Sequence, residues 1–127
     1  MRNELNRITG IIIGRAMKIH TELGPGLLES VYENLLAYEL KKAGLNVKVQ
    51  HPVPLVYESV KLEAGFRIDI LVENKVIVEI KSVENLAPVH FAQTLTYLKI
   101  ADKRLGLLIN FNTFKLKDGI NRIVNKF

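Results

Sequence analysis

A chain of 127 residues, 48% of them hydrophobic, is the size of one domain with one core, residues 1–127. It has no cysteine, which excludes disulfides and thiolate metal sites and leaves carboxylates and histidine as the ligands for any metal. The net charge of +5 lies wholly in the last third: residues 1–84 carry 11 basic and 11 acidic side chains, residues 85–127 carry 7 and 2. A polyanion such as nucleic acid suits that surface, although lysine-rich surfaces are commonly just solvated.

Leu5, Ile8, Ile12, Ala16, Ile19 and Leu23 recur at helical spacing and predict a first helix, stopped by Gly24-Pro25-Gly26. The apolar runs are short and "MRNEL" has no signal-peptide character, so the expectation is a cytoplasmic protein with no membrane segment. A second helix is predicted from about Leu28 to Ala43, stopping at Gly44. In it Glu29 heads a stripe continued by Tyr32, Leu36, Leu40 and Ala43. An acid in a first helical turn is favoured by the backbone dipole whatever its function.

From Val47 to Lys81 the pattern turns β-branched and alternating, with turn signals near Glu58-Ser59 and Glu73-Asn74, and predicts three antiparallel strands in a meander. Pro52 and Pro54 suggest that the first strand lies at an edge or is bulged. Pro88 opens a helix running to about Ala101, and "RLGLLINF" reads as a buried strand parallel to the third. Ile120, Ile123, Val124 and Phe127 predict a final helix. The predicted order is α, α, β, β, β, α, β, α, around a mixed four-stranded sheet.

Alternation puts Ile68, Ile70 and Val72 on one face of the second strand, and Arg67, Asp69 and Leu71 on the other. The third strand sets Val76, Val78 and Ile80 against Ile77, Glu79 and Lys81. Bringing the apolar faces together pairs Asp69 with Glu79 and requires an odd loop or a bulge near Asn74. Two facing carboxylates repel unless a proton or a cation sits between them, and a hard divalent cation with oxygen ligands is the natural choice. Lys81 then lies beside the cation, able to hold a water or stabilise a phosphoryl group. The plainer alternative makes these charges the wet face of the sheet, neutralised by Arg67 and Lys81. In the later helix His90, Gln93 and Tyr97 share one face, while His20 reads as a structural histidine; no nucleophile–base set and no phosphate loop occurs.

Gly26, Glu29 and Tyr32 in "GLLESVY", Asp69 in "RIDILV", Glu79 and Lys81 in "VEIK", and Gln93 and Tyr97 in "QTLTY" together resemble the PD-(D/E)XK nuclease superfamily, and within it the small GxxExxY family. The last motif is similar to that of RecB-type nucleases, and the resemblance covers about residues 8–126. It implies an α/β (α+β) chain with a restriction-endonuclease-like core and a Mg²⁺ or Mn²⁺ ion held by Asp69, Glu79, the carbonyl of Ile80 and the helix-borne Glu29. It also implies that Lys81 positions the attacking water and that Gln93 and Tyr97 support that water or the DNA backbone. The reaction implied is hydrolysis of a phosphodiester bond in DNA to a 5′-phosphate and a 3′-hydroxyl. Ile68 stands where the superfamily pattern has proline. Lys99, Lys103, Arg104, Lys115 and Lys117 are the candidate nucleic-acid contacts, and a domain this small suggests a homodimer or a protein partner to grip a duplex. The competing reading is a catalytically silent nucleic-acid-binding or adaptor protein that retains the fold.

Overall fold

The computed structural model describes residues 1–127. The first helix, α1 (Arg2–Leu23), buries Leu5, Ile8, Ile12, Ala16 and Ile19 as its spacing predicts, while Leu23 stays half exposed. It stops at Gly24, whose φ of 74° is left-handed and whose N–H donates to the His20 carbonyl. Helix α2 (Glu29–Lys42) buries Tyr32, Leu36, Ala37 and Leu40 against α1 and the sheet. Arg15 and Lys18 of α1 both pair with Glu39 of α2, at 3.0 and 3.1 Å.

Strands β1 (Val47–Tyr57), β2 (Val60–Val72) and β3 (Val76–Lys81) form the antiparallel meander, and helix α3 (Pro88–Ala101) carries the chain to β4 (Leu105–Asn110), parallel to β3. Strand β1 is at the edge, and its register shifts between Val53 and Leu55, around Pro54. Helices α1 and α2 cover one face of the sheet through Ile70, Val72, Val78, Ile80, Leu107 and Ile109. Helix α3 covers the other through Leu98, against Ile68, Leu71 and Ile77. At Gly106 the helix packs directly on β4, with Thr94 and Leu98 at ordinary contact distance, 3.4 Å, from where a Cβ would stand. The result is a five-stranded mixed sheet between helices, an architecture consistent with the restriction-endonuclease-like core.

Two expectations are corrected. The C-terminal segment is not a helix: a 3₁₀ turn (Leu116–Gly119) leads into β5 (Ile120–Val124), antiparallel to β4, so the sheet has five strands rather than four. The cause lies in β4, every residue of which is buried. Its outer edge would bury unpaired N–H and C=O groups if nothing paired with it, and the β-branched Ile120, Ile123 and Val124 supply the strand. Gly119 admits the turn, because a Cβ there would collide with the Asn110 carbonyl. The second correction is at Ile68, which packs under α3 with Leu71 rather than beside Ile70 and Val72. Side-chain alternation therefore breaks at Asp69, and across from it in β1 Gln50 sits at a left-handed φ of 50°.

Candidate active site

The β2–β3 register is the one the apolar pattern demands, with Ile70 opposite Val78, Val72 opposite Val76, and a three-residue loop at 73–75 in which Glu73 and Asn74 are left-handed. Continued by one step, it sets Asp69 opposite Glu79, where the backbone ladder stops. Two carboxylate bonds replace it: the Asp69 N–H donates to Glu79 Oε2 at 2.9 Å, and the Ile80 N–H donates to Asp69 Oδ2 at 2.9 Å. Each acid thus anchors the other's strand. Because N–H and C=O of a strand residue project from the same edge, the Ile80 carbonyl also faces this gap.

Glu79 is only 4% exposed. Burial, and then the neighbouring Asp69 charge, pushes its carboxyl up to about 8. Asp69 is raised in the same direction by burial, against the pull of the Ile80 N–H, Gln50 and Lys81. Lys81 is half-buried and pairs with no carboxylate within 4 Å, so its ammonium acts on the acids through space. Tyr97 comes from α3, stacked on Phe66 with ring centroids 4.0 Å apart. Burial raises its phenol, with the Glu79 and Asp69 charges adding to the effect. Gln93, one turn earlier on α3, is exposed.

Glu29 reaches the end of β3 by a built route. The buried Tyr32 stacks on Phe111 at 4.4 Å, and its hydroxyl donates to the Gly24 carbonyl at 2.6 Å and accepts from the Leu27 N–H at 3.1 Å. The loop held in this way presents the Leu27 carbonyl to the Ser82 hydroxyl, while Glu29 Oε2 accepts the Ser82 N–H at 3.2 Å. Glu29 is therefore engaged at Ser82, near enough to raise Asp69 electrostatically. No three acidic or histidine side chains close on one point.

Four residues escaped the sequence reading. Gln50 donates through one amide nitrogen to Glu33 Oε1 at 2.7 Å and to Asp69 Oδ1 at 3.3 Å. Glu33 is buried, and that burial raises its carboxyl. It lies four residues after Glu29, on the same side of α2, which is the signal that could have found it. Ser82 and the buried Asn110 fix the exit of β3: Asn110 Oδ1 accepts the Val83 N–H at 3.1 Å, and its Nδ2 donates to the Val83 carbonyl at 2.9 Å. Two of the three histidines are structural: His20 Nε2 lies 2.8 Å from the Thr113 carbonyl, and His90 Nδ1 accepts the Ala87 N–H that begins α3.

The basic residues divide. Lys103 and Arg104 precede β4 at the end where Val76 begins β3, with Lys103 on Asn74, and about 10 Å of strand separates Val76 from Glu79. Lys99 lies on the last turn of α3, two residues after Tyr97, and is exposed. Lys115 and Lys117 border the Gly24–Pro25 loop, which leads into α2.

An acid pair at the broken centre of a mixed sheet, a nearby ammonium and a helix-borne glutamate define a site suited to a hard cation and a phosphate. A sequence model of the PD-(D/E)XK nuclease superfamily matches residues 6–123, and the chain belongs to that superfamily. Searches of curated proteins and of solved structures returned no match. No helix is long and apolar enough to cross a membrane.

Proposed function

We propose that the chain is a metal-dependent nuclease of the GxxExxY type that hydrolyses phosphodiester bonds in DNA. The observation that carries this reading is the reciprocal anchoring of Asp69 and Glu79, with Lys81 two residues on. A purely structural position has no reason to hold two carboxylates where burial raises the proton affinity of both and the Asp69 charge raises that of Glu79 further. The donor set fits a divalent cation: each acid uses one oxygen on a backbone N–H, the second Glu79 oxygen is left as a hard ligand, the second Asp69 oxygen accepts only the long 3.3 Å bond from Gln50 and has a further lone pair, and the Ile80 carbonyl faces the same gap. Asp69, Glu79 and Ile80 would hold Mg²⁺ or Mn²⁺, with Glu29 contributing from Ser82. The ion would supply charge neutralisation and Lewis acidity at the phosphate.

The chain's own groups do the rest. Lys81 donates to the attacking water or to a non-bridging phosphate oxygen, fixing its approach in line with the leaving 3′-oxygen. Gln93 and Tyr97 donate to the phosphate backbone from the α3 side. Water gives up a proton to solvent as its oxygen bonds to phosphorus and the P–O3′ bond breaks, and the 3′-oxygen takes a proton from solvent, leaving a 5′-phosphate and a 3′-hydroxyl. The test is cleavage of single-stranded, duplex and branched DNA with and without Mg²⁺ or Mn²⁺. Metal-dependent cuts that disappear in Asp69→Ala and Lys81→Ala are expected, and failure of the wild-type protein to cut any substrate in either metal overturns the proposal.

A further inference from the structure

Phe114 is 96% exposed, the most exposed large apolar side chain of the molecule. Exposed aromatics at loose chain ends need no explanation, but this one is held out by a fixed loop. On one side Phe111 is fully buried, with its N–H on the Lys81 carbonyl at 2.9 Å, and on the other Leu116 is in the core. Between them the Thr113 carbonyl receives His20 Nε2. The ring is therefore presented to water by a loop pinned to α1 and to the end of β3.

Its surroundings have the chemistry of a nucleotide. Phe114, Lys115 and Lys117 line a groove with Met17, Gly24 and Pro25, and no carboxylate lines it. Both lysines are exposed and form no ion pair. The same glycine–proline loop continues as Gly26–Leu28 into the adjoining groove that holds Glu29, Ser82 and Asn112. A strand of nucleic acid lying along the two grooves would put a phosphate beside Glu29 and Ser82, at the end of β3, and the next bases at the aromatic ring.

We infer that Phe114 is a stacking platform for an unpaired nucleobase, with Lys115 and Lys117 on the flanking phosphates, so that this site takes single-stranded rather than fully paired nucleic acid. The inference rests on the reading of the chain as acting on nucleic acid and adds the substrate's structure to it. An exposed ring beside a basic groove binds bases of any sequence through their faces, and in an intact duplex those faces are already covered by neighbouring pairs.

The chain has no tryptophan, so Phe114→Trp places a single reporter at the platform. In EDTA, where nothing is cut, a 12-nucleotide single strand of DNA or of RNA is expected to quench its emission and a blunt duplex of the same length is not. The DNA and RNA arms read which sugar the site prefers. Phe114→Ala should weaken single-strand binding by about 5- to 100-fold with duplex binding unchanged, and Phe114→Tyr should retain it. A ring this exposed can be truncated without unfolding the chain, which circular dichroism checks. Unchanged single-strand affinity in Phe114→Ala, or equal quenching by duplex, overturns the inference. If the wild-type protein binds this way yet cuts nothing with Mn²⁺, the nuclease reading falls and the platform stands; if it cuts and Phe114→Ala binds and cuts single strands equally well, the platform alone falls.

Discussion

Replacing Glu79 by glutamine should leave the fold intact and remove most of its pH dependence in the neutral range. In the wild-type protein burial and Asp69 raise the Glu79 carboxyl from 4.5 to about 8. An acid whose native pKa is raised binds its proton more tightly when folded than when unfolded, so its contribution to stability is complete below pH 4.5 and is lost as the pH climbs through 8. Each pH unit in that interval moves the equilibrium about tenfold against the native state, about 5 kcal/mol in all. Asp69 adds to the trend in the same direction. Glutamine keeps an oxygen for the Asp69 N–H and carries no charge, so Glu79→Gln should be several kcal/mol more stable than wild type at pH 9 and nearly equal to it at pH 5. Urea unfolding in EDTA at pH 5, 7 and 9 measures this. Saturating Mn²⁺ should restore wild-type stability at pH 9, by about 3 kcal/mol at one hundred times its dissociation constant, and leave the variant unchanged. Parallel pH profiles for the two proteins would refute the claim that a charge is confined between β2 and β3.

Mn²⁺ binding by wild type must displace the Glu79 proton near pH 7, so calorimetry in buffers of different ionisation enthalpy should show about one proton released per ion, and none in Glu79→Gln. Tyr32→Phe removes the clamp on Gly24 and Leu27 and should cost about 1–3 kcal/mol in urea unfolding, with a loss of cleavage rate at saturating metal larger than any change in metal affinity. Gly119→Ala should destabilise by about 1–3 kcal/mol, read in the same unfolding experiment, because its Cβ meets the Asn110 carbonyl. Lys115→Ala should lower the salt dependence of nucleic-acid binding by about one ion, whereas Lys103→Ala, at the far end of the sheet, should leave it unchanged.

The sequence pattern carried most of the fold because the two periodicities are clean where the core is: α1 every third or fourth residue, β3 and β4 as near-continuous apolar strands. The C-terminus misled because Ile120, Ile123, Val124 and Phe127 satisfy a helical spacing as well as an edge strand, and what decides between them is the unpaired side of β4, a tertiary fact. The acid pair was legible from parity alone, since only one register joins the apolar faces. Gln50 was not, for its role depends on the left-handed kink that turns its amide toward both Glu33 and Asp69. The basic third of the chain was legible as a charge excess but not as a surface, because β4 carries Lys103 and Lys115 to opposite ends of the sheet.

These misses share a cause with the site itself. The pleat predicts where side chains point only while the ladder is regular, and here it stops where the chemistry is. At Asp69 alternation fails, the β2–β3 backbone bonds give way to carboxylate bonds, and Gln50 leaves the extended region across from it. A regular hairpin would send Asp69 and Glu79 out from one face as an exposed pair, with their oxygens free to diverge into water. Tying each carboxylate to the opposite strand's N–H fixes one oxygen of each, Gln50 reaches the second Asp69 oxygen, and burial sharpens the repulsion between the two groups. The break in the sheet is thus what converts two facing acids into a fixed pair of ligands, and Asp69→Asn tests it directly. The amide can still accept from the Ile80 N–H, so stability should change by no more than about 1 kcal/mol in urea unfolding, while Mn²⁺ binding by calorimetry should be lost; retained Mn²⁺ affinity in that variant would show that the ligands lie elsewhere.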